Sequence, residues 1–398
     1  MRREEARLVE PIALAPMRAQ VLAWTAINSG TANIAGLDAM ASELADAFAD
    51  LPGDVTLEAP APVETVTAQG TLAPVAHGRH LVVRVRPKAR RRVLLTGHMD
   101  TVYAADHLFQ ASEWLDETRL RGPGAADMKG GIALMLAGLK AFEESRPTLG
   151  YDVLLNSDEE TGSASSAPLI RELAQGKIAA LTYEPALPGG AMARARPGSG
   201  NFAAIVTGRA AHAGRNPEDG RNAVVAAADL ALRLSQARHP ALSINPARID
   251  GGGPNNIVPA QAVLRFNLRP RAPEQAAEAQ ALIDRLVAEI AAAHEVAIHL
   301  HGGFGRPPKP ITPEAERLFA LVADAAADLG ENLQWQDTGG VCDGNNIAAC
   351  GVPVIDTMGA RGDFIHSPQE YLDVGSLVPR ARLTALVLHR IENGGTYR

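Results

Sequence analysis

Val93-Leu94-Leu95-Thr96-Gly97-His98-Met99-Asp100 is the stretch whose reading decides this chain. Apolar and β-branched residues run into a glycine, and a His and an Asp then stand two positions apart. In extended backbone, side chains two apart share a face, so His98 and Asp100 at a strand's end address one point in space. That arrangement suits a metal ion: an imidazole binds it, and a carboxylate on the other ring nitrogen fixes the tautomer. Taken alone, such a pair is as often a hydrogen-bonded turn.

Downstream residues decide between the two readings. Asp127 follows the turn-rich Arg121-Gly122-Pro123-Gly124-Ala125-Ala126 and precedes an apolar helix. Glu159 and Glu160 follow the run Tyr151 to Asp158, and Glu184 closes Ala179 to Tyr183. Acids placed where strands give way to loops gather, in an open α/β sheet, at the carboxyl ends of the strands. Several carboxylates in one place repel, and their pKa values rise unless cations neutralise them. A divalent metal pair is the economical remedy.

Composition excludes several alternatives. The 398 residues suffice for two domains with separate cores, and 46% hydrophobic with 21% charged residues is ordinary for a globular protein. A net charge of −7 offers no broad basic field for nucleic acid or an anionic membrane, and 4% aromatics make poor base-stacking platforms. Cys342 and Cys350 are too few for a disulfide framework or a thiolate zinc site. The N-terminal Met1-Arg2-Arg3-Glu4-Glu5 mixes charges, and its apolar sequel is broken by Glu10 and Pro11, a poor signal peptide. With no run of membrane-spanning length, the expectation is a cytoplasmic protein with no nucleic-acid or membrane partner.

Taken in order, residues 13–50 read as two helices, the second about Leu37–Leu51, and strands alternate from Val55 to Val85. The basic cluster Arg84 to Arg92 reads as a solvated hairpin turn. Helices follow at Ile132–Phe142 and Ser166–Leu173. Strands separated by helices at these intervals imply a mostly parallel mixed sheet with helices on both faces, an α/β core. After Arg196-Pro197-Gly198 the pattern becomes β-α-β-β-α-β, with strands including Asn201–Thr207, Ala262–Leu268 and Ala297–Leu300 and helices Asn222–Gln236 and Pro273–Ala293. That run resembles a ferredoxin-like α+β unit. The expected organisation is a catalytic domain in two parts, 1–198 and 309–398, interrupted by an insertion at 199–308.

With His98-Met99-Asp100, Gly124-Ala125-Ala126-Asp127-Met128-Lys129-Gly130-Gly131, Asp158-Glu159-Glu160-Thr161-Gly162 and Glu184-Pro185 in view, the sequence resembles the M20 family of metallopeptidases and deacylases. Within it the likeness is greatest to glutamate carboxypeptidases of the carboxypeptidase G type. It extends through Ala211-His212-Ala213-Gly214 in the insertion to Ile365-His366-Ser367 near the end. The resemblance implies a zinc-exopeptidase-like fold and two zinc ions, with cobalt or manganese as alternatives, bridged by Asp127 and a water. His98 and Glu184 would complete one metal, Glu160 and His366 the other, giving the four-coordination zinc prefers. Asp100 would orient His98, and Glu159 would serve as general base, passing a proton from the water to the leaving amine. A cis Asp127–Met128 peptide bond is also implied.

By the same resemblance, His212 reaches a partner subunit's site and stabilises the oxyanion, which requires a homodimer formed through the inserted domain. Asn256, Arg269 and Arg306 match positions that hold the substrate's carboxylate, and an arginine fork suits that group. The chain departs from the family pattern at Gly339-Gly340-Val341-Cys342-Asp343-Gly344, where Gly-Gly-Thr-Asp or Gly-Gly-Ser-Asp is common. Cys342 reads as a pocket-wall thiol, and the histidines outside the motifs, His77, His80 and His301 among them, as surface or core residues. The function expected is a dizinc hydrolase cleaving an amide next to a free carboxylate in a small molecule or short peptide, either a C-terminal glutamate-like residue or an N-acyl amino acid. A small-molecule N-deacylase resembling acetylornithine deacetylase or an aminoacylase is the alternative. A metal-binding regulatory protein without turnover belongs to another class, and an intact Glu159 argues against it.

Overall fold

Arg92–His98 lies inside a six-stranded sheet, flanked by Gly150–Asn156 and Ala179–Thr182 and parallel to both, in a computed structural model describing residues 1–394. Val354–Ile355 extends the parallel set on one side, while His80–Val85 and Asp54–Glu58 continue the other side through antiparallel pairings. The sheet is mixed and mostly parallel, as expected. Its strands read as nearly continuous apolar runs because both faces are covered.

Alternation along each strand divides the core into two layers. Val93, Leu95, Tyr151, Val153 and Leu155 pack against the helices Ile34–Phe48, Gly130–Glu144, Pro313–Asp328 and Leu377–Glu392. Val82, Leu94, Leu154 and Ala180 point the other way, against Ala167–Ala174 and Asp343–Ala349. Asn33 starts the first of these helices three residues earlier than its apolar spacing suggests, because its side chain accepts from Gly36 N at 3.2 Å. Arg3–Val9 is a helix that periodicity does not reveal. It is too short to persist alone and is held from outside: buried Glu5 takes Arg390 Nε at 2.9 Å.

The Arg84 to Arg92 cluster is not the turn of a hairpin. The strands it joins are separated by Gly150–Asn156, which pairs with both. Its arginines reach neighbouring acids instead, Arg84 to Glu58 at 3.0 Å, Arg86 to Glu143 and Arg92 to Asp152.

The β-α-β-β-α-β run folds as an antiparallel sheet in the order Leu242–Gly251, Gln261–Pro270, Ser199–Thr207, Ala297–Arg306, the ferredoxin-like arrangement. Ala223–Gln236 and Pro273–His294 cover one face over a separate core of Phe202, Ala204, Leu264, Phe266 and Ile283. Leu242–Gly251 is an edge strand with Pro246 beside an irregularity in its register, a place where proline is tolerated. The chain enters and leaves this unit through two segments side by side, Arg196 and Lys309 exchanging backbone hydrogen bonds at 3.1 and 3.0 Å.

Candidate metal centre

Three adjacent parallel strands end together on one side of the sheet, and each brings an imidazole or a carboxylate there. His98 ends the first, Glu159 and Glu160 follow the second, and Glu184 follows the third. Asp127 arrives from the turn before Gly130–Glu144, and His366 from the loop between the short strands Gly362–Asp363 and Tyr371–Asp373. The Asp127–Met128 peptide bond is cis.

The side chains form two groups that share Asp127: His98, Asp127 and Glu184, and Asp127, Glu160 and His366. His98 Nε2 stands 3.1 Å from Asp127 Oδ1 and 3.8 Å from Glu184 Oε2. His366 Nε2 stands 3.2 Å from Asp127 Oδ2 and 3.1 Å from Glu160 Oε2. Each oxygen of one carboxylate thus faces a different imidazole. Oε1 of Glu184 is buried without a hydrogen-bond partner, an expensive state for a carboxylate oxygen that a cation would relieve. The donor set of imidazole and carboxylate suits zinc, manganese or cobalt.

The carboxylates and imidazoles of the two groups strongly perturb one another. Burial pushes Glu184 well up, helped by Glu159 and opposed by His98. Glu160 is raised by burial and the Asp127 charge. Burial alone would lower His98, but Asp100, Asp127 and Glu184 hold it well above the ordinary imidazole value. Hydrogen bonds to Asp127 and Glu160 lift His366 to about 11. Asp127 is raised by burial but more strongly depressed by its two imidazole partners. A divalent ion can replace the protons that otherwise reconcile these groups, leaving both histidines neutral ligands.

Around this cluster, Asp100 takes a larger part than the orientation of one ring. The nearest partner of His98 Nδ1 is the Asp100 main-chain oxygen at 3.0 Å, with the carboxylate at 3.4 Å. The carboxylate itself accepts from Glu159 N and Glu160 N, each at 3.2 Å, and from Thr31 Oγ1 at 2.7 Å. It therefore fastens the turn that carries both glutamates. Glu159 is buried and raised to about 8, burial outweighing the attraction of Arg306 and His98.

Arg306 is buried beside it, its Nη2 2.6 Å from Glu159 Oε1, 2.8 Å from Glu159 O and 2.9 Å from Ser163 Oγ. Arg269 lies on the insertion's sheet and donates to Gly339 O at 2.8 Å, so it spans the two units rather than joining the cluster. His212 and Asn256 sit together in exposed loops of the insertion, where Ala213 N donates to Asn256 O at 2.9 Å. Neither is hydrogen-bonded to the cluster among the described residues. Cys342 is buried, and burial raises its thiol well above the ordinary value, a poor nucleophile.

Sequence reasoning missed Glu370, Tyr103 and Lys129. Buried Glu370 accepts from Gly124 N at 3.1 Å, Ala126 N at 3.0 Å and Asp127 N at 3.1 Å. Tyr103 Oη lies 2.8 Å from both Glu370 Oε2 and Ser367 O, its one hydroxyl hydrogen shared between these two acceptors, and so ties the Asp127 turn to the His366 loop. Burial and the Asp127 charge push Glu370 up to about 7. Buried Lys129 donates to Ile27 O at 3.0 Å and is lowered to about 8 by burial. An acid four residues after His366 is the one cue the sequence offers. His77 and His301, expected at surface or core positions, both line the cleft above the cluster, because the insertion folds back over that edge of the sheet.

A family model described as peptidase family M20/M25/M40 matches residues 94–390. Carboxypeptidase G2 of Pseudomonas sp. (strain RS-16) is 31% identical over 78% of this chain and 76% of its own length. A succinyl-diaminopimelate desuccinylase of Psychrobacter arcticus is 26% identical over 75% of this chain and 78% of its length. Among solved structures, a tripeptidase from Staphylococcus aureus superposes with a TM-score of 0.75 at 22% identity, covering 96% of this chain and 99% of that one. A dinuclear metal-binding peptidase from Bacillus subtilis gives 0.65 at 15% identity over 96% and 98%. At those identities the superpositions speak for the fold.

Proposed function

This chain belongs to peptidase family M20/M25/M40, and from that premise we propose that it is a dizinc hydrolase that cleaves an amide bond beside a free carboxylate. The observation that carries the proposal is the pair of ligand groups sharing one aspartate. His98 and Glu184 would hold one ion, Glu160 and His366 the other, with Asp127 between them. Such a pair, when bound, polarises a carbonyl and makes water nucleophilic near neutral pH.

The chain's own residues do the rest. Glu159, held near the cluster yet in neither ligand group, is the general base, and burial raises its proton affinity above that of an ordinary carboxylate. Asp100 holds the Glu159–Glu160 turn and the His98 ring in place. Arg306 engages Glu159 in this state, so a substrate carboxylate that takes Arg306 also releases the base. Asn256 and Arg269 are further candidates for the substrate's carboxylate. His212 acts across a homodimer interface as the oxyanion donor, in keeping with its exposed place on the insertion.

Similarity to desuccinylases as well as to a carboxypeptidase supports a second reading within the same chemistry, a small-molecule N-deacylase. Metal analysis combined with hydrolysis assays on peptidyl- or folyl-glutamate and on N-acetyl or N-succinyl amino acids tests both. About two metal ions per chain with turnover of a carboxylate-bearing amide is the expected result. Bound metal with no turnover of any such amide refutes it in favour of a binding protein.

A further inference from the structure

Asp343-Gly344-Asn345-Asn346 opens the short helix Asp343–Ala349, directly after Val341-Cys342, where the chain departs from the family pattern. Its polar side chains turn back on the segment that leaves the insertion. Asn346 Nδ2 donates to Gly305 O at 3.0 Å and Asn345 Nδ2 to Pro307 O at 2.8 Å, so the carbonyls on both sides of Arg306 are taken. Asn345 Nδ2 also donates to Pro197 O at 2.8 Å, which fastens the segment entering the insertion to the same turn. Arg306 is therefore seated on the catalytic unit, although its strand Ala297–Arg306 belongs to the insertion's sheet.

Arg306 answers to two buried acids. Its Nη2 lies 2.6 Å from Glu159 Oε1 and 3.5 Å from Asp343 Oδ1. Among the described residues it is the one cation within 4.0 Å of either carboxylate. The Ser163 hydroxyl stands between the guanidinium and the farther acid, accepting from Nη2 at 2.9 Å and donating its hydrogen to Asp343 Oδ1. Asp343 Oδ2 accepts from Asn156 Nδ2 at 2.7 Å, at the end of the central strand Gly150–Asn156, so this second carboxylate is fixed to the sheet. Nη2 has two hydrogens to divide among Ser163 Oγ, Glu159 Oε1 and Glu159 O, while Nε is buried with no partner among the described residues. The guanidinium is thus shared between the two acids.

We propose that Asp343 is a positioning residue for the hydrolytic reaction, a fixed counter-charge that keeps Arg306 seated while Glu159 leaves it to act as base. The proposal rests on the hydrolytic reading above, in which Glu159 takes a proton and a substrate carboxylate takes Arg306. A buried charge stripped of its partner is costly, so a guanidinium with Glu159 as its sole carboxylate would hold the base fast. Asp343 draws on the same guanidinium through Ser163, which loosens its grip on Glu159 and keeps it in place when Glu159 turns away. Asp343 belongs to neither ligand group and acts through Arg306.

The test measures kcat and KM for a peptidyl-glutamate or an N-acetyl amino acid, whichever the native, metal-loaded chain turns over, together with metal content and urea unfolding. Asp343→Asn leaves Glu159 as the only carboxylate on Arg306, so kcat should fall by about tenfold or more with KM no higher and metal content unchanged. In an Arg306→Gln background the same substitution should change kcat by less than about twofold, because its effect runs through the guanidinium. Where Arg306→Gln is too slow to assay, the cycle is read in urea, and the midpoint shifts of the two single variants should fail to add in the double variant. Ser163→Ala cuts the link to Asp343 and keeps every charge; it should lower kcat in the same direction and takes the place of Asp343→Asn if that variant does not fold. An unchanged kcat, a raised KM with kcat intact, loss of metal together with activity, equal losses in both backgrounds or additive midpoint shifts each overturn the proposal while leaving the hydrolase reading intact. Turnover of neither amide by the native chain overturns the hydrolase reading and this role with it.

Discussion

Replacing Glu370 by Gln isolates one contact between the two halves of the metal centre. Glu370 Oε1 accepts from Ala126 N and Asp127 N, while Oε2 accepts from Gly124 N and Tyr103 Oη. A glutamine can keep its oxygen on the first pair, but its amide nitrogen then meets two donors. Tyr103 can rotate its hydroxyl toward Ser367 O, at 2.8 Å already; the Gly124 amide cannot turn away. One buried donor left unsatisfied costs about 1–3 kcal/mol. If about 2 kcal/mol of that falls on the ordering of the Asp127 turn, the metal dissociation constant rises roughly thirtyfold. Chelator competition on the purified chain reads that number directly, and urea unfolding reports the loss in overall stability beside it. Tyr103→Phe, which removes a donor but strands no backbone group, should cost less, about 1 kcal/mol. Metal affinity and unfolding midpoint both unchanged in Glu370→Gln would refute the view that this carboxylate fixes the ligand turn.

Glu159→Gln should lower kcat by about 10²–10⁴, the usual worth of a general base, with metal content unchanged; loss of metal together with activity would reassign Glu159 to the ligands. His212→Ala should reduce kcat far more than it raises KM, by about 3 kcal/mol for one well-aimed donor, and equal effects on both parameters would count against the oxyanion role. Burial pushes the Glu5 carboxyl up, but Arg390 and the Arg2 amide prevail and hold it at about 2 against an ordinary 4.5. A depressed carboxyl contributes stability that is whole above the unfolded value and is lost as pH falls toward the folded one. Glu5→Gln should therefore cost about 2–3 kcal/mol at neutral pH and flatten the decline between pH 4.5 and 2; an unaltered acid limb in urea unfolding would show that the pair does not couple to folding.

Periodicity and the ordered motifs made legible the parallel core, the inserted β-α-β-β-α-β unit and the residues of the two candidate metal-binding groups. Long apolar strands buried on both faces and acids at their ends are local patterns, and local patterns survive in one dimension. The family resemblance carried by those motifs implied that Asp127 is shared, and the two candidate ligand groups have Asp127 in common. What spacing could not supply was anything held by contacts between distant segments. Glu370 is an unremarkable acid in a loop until the Asp127 turn, 243 residues earlier in the chain, points its amides at it. Arg306 reads as a free carboxylate binder, yet it lies on Glu159 because the returning strand Ala297–Arg306 ends over the Glu159 turn. The Arg84 to Arg92 segment looks like a hairpin turn because nothing in it announces that Gly150–Asn156 will enter between the strands it joins. The seat of Arg306 exists only because the turn at Asn345 and Asn346 takes the carbonyls on both sides of it. Each of these depends on where the insertion and the sheet edge meet in space, which is a balance of packing energies across the whole chain and leaves no periodicity behind.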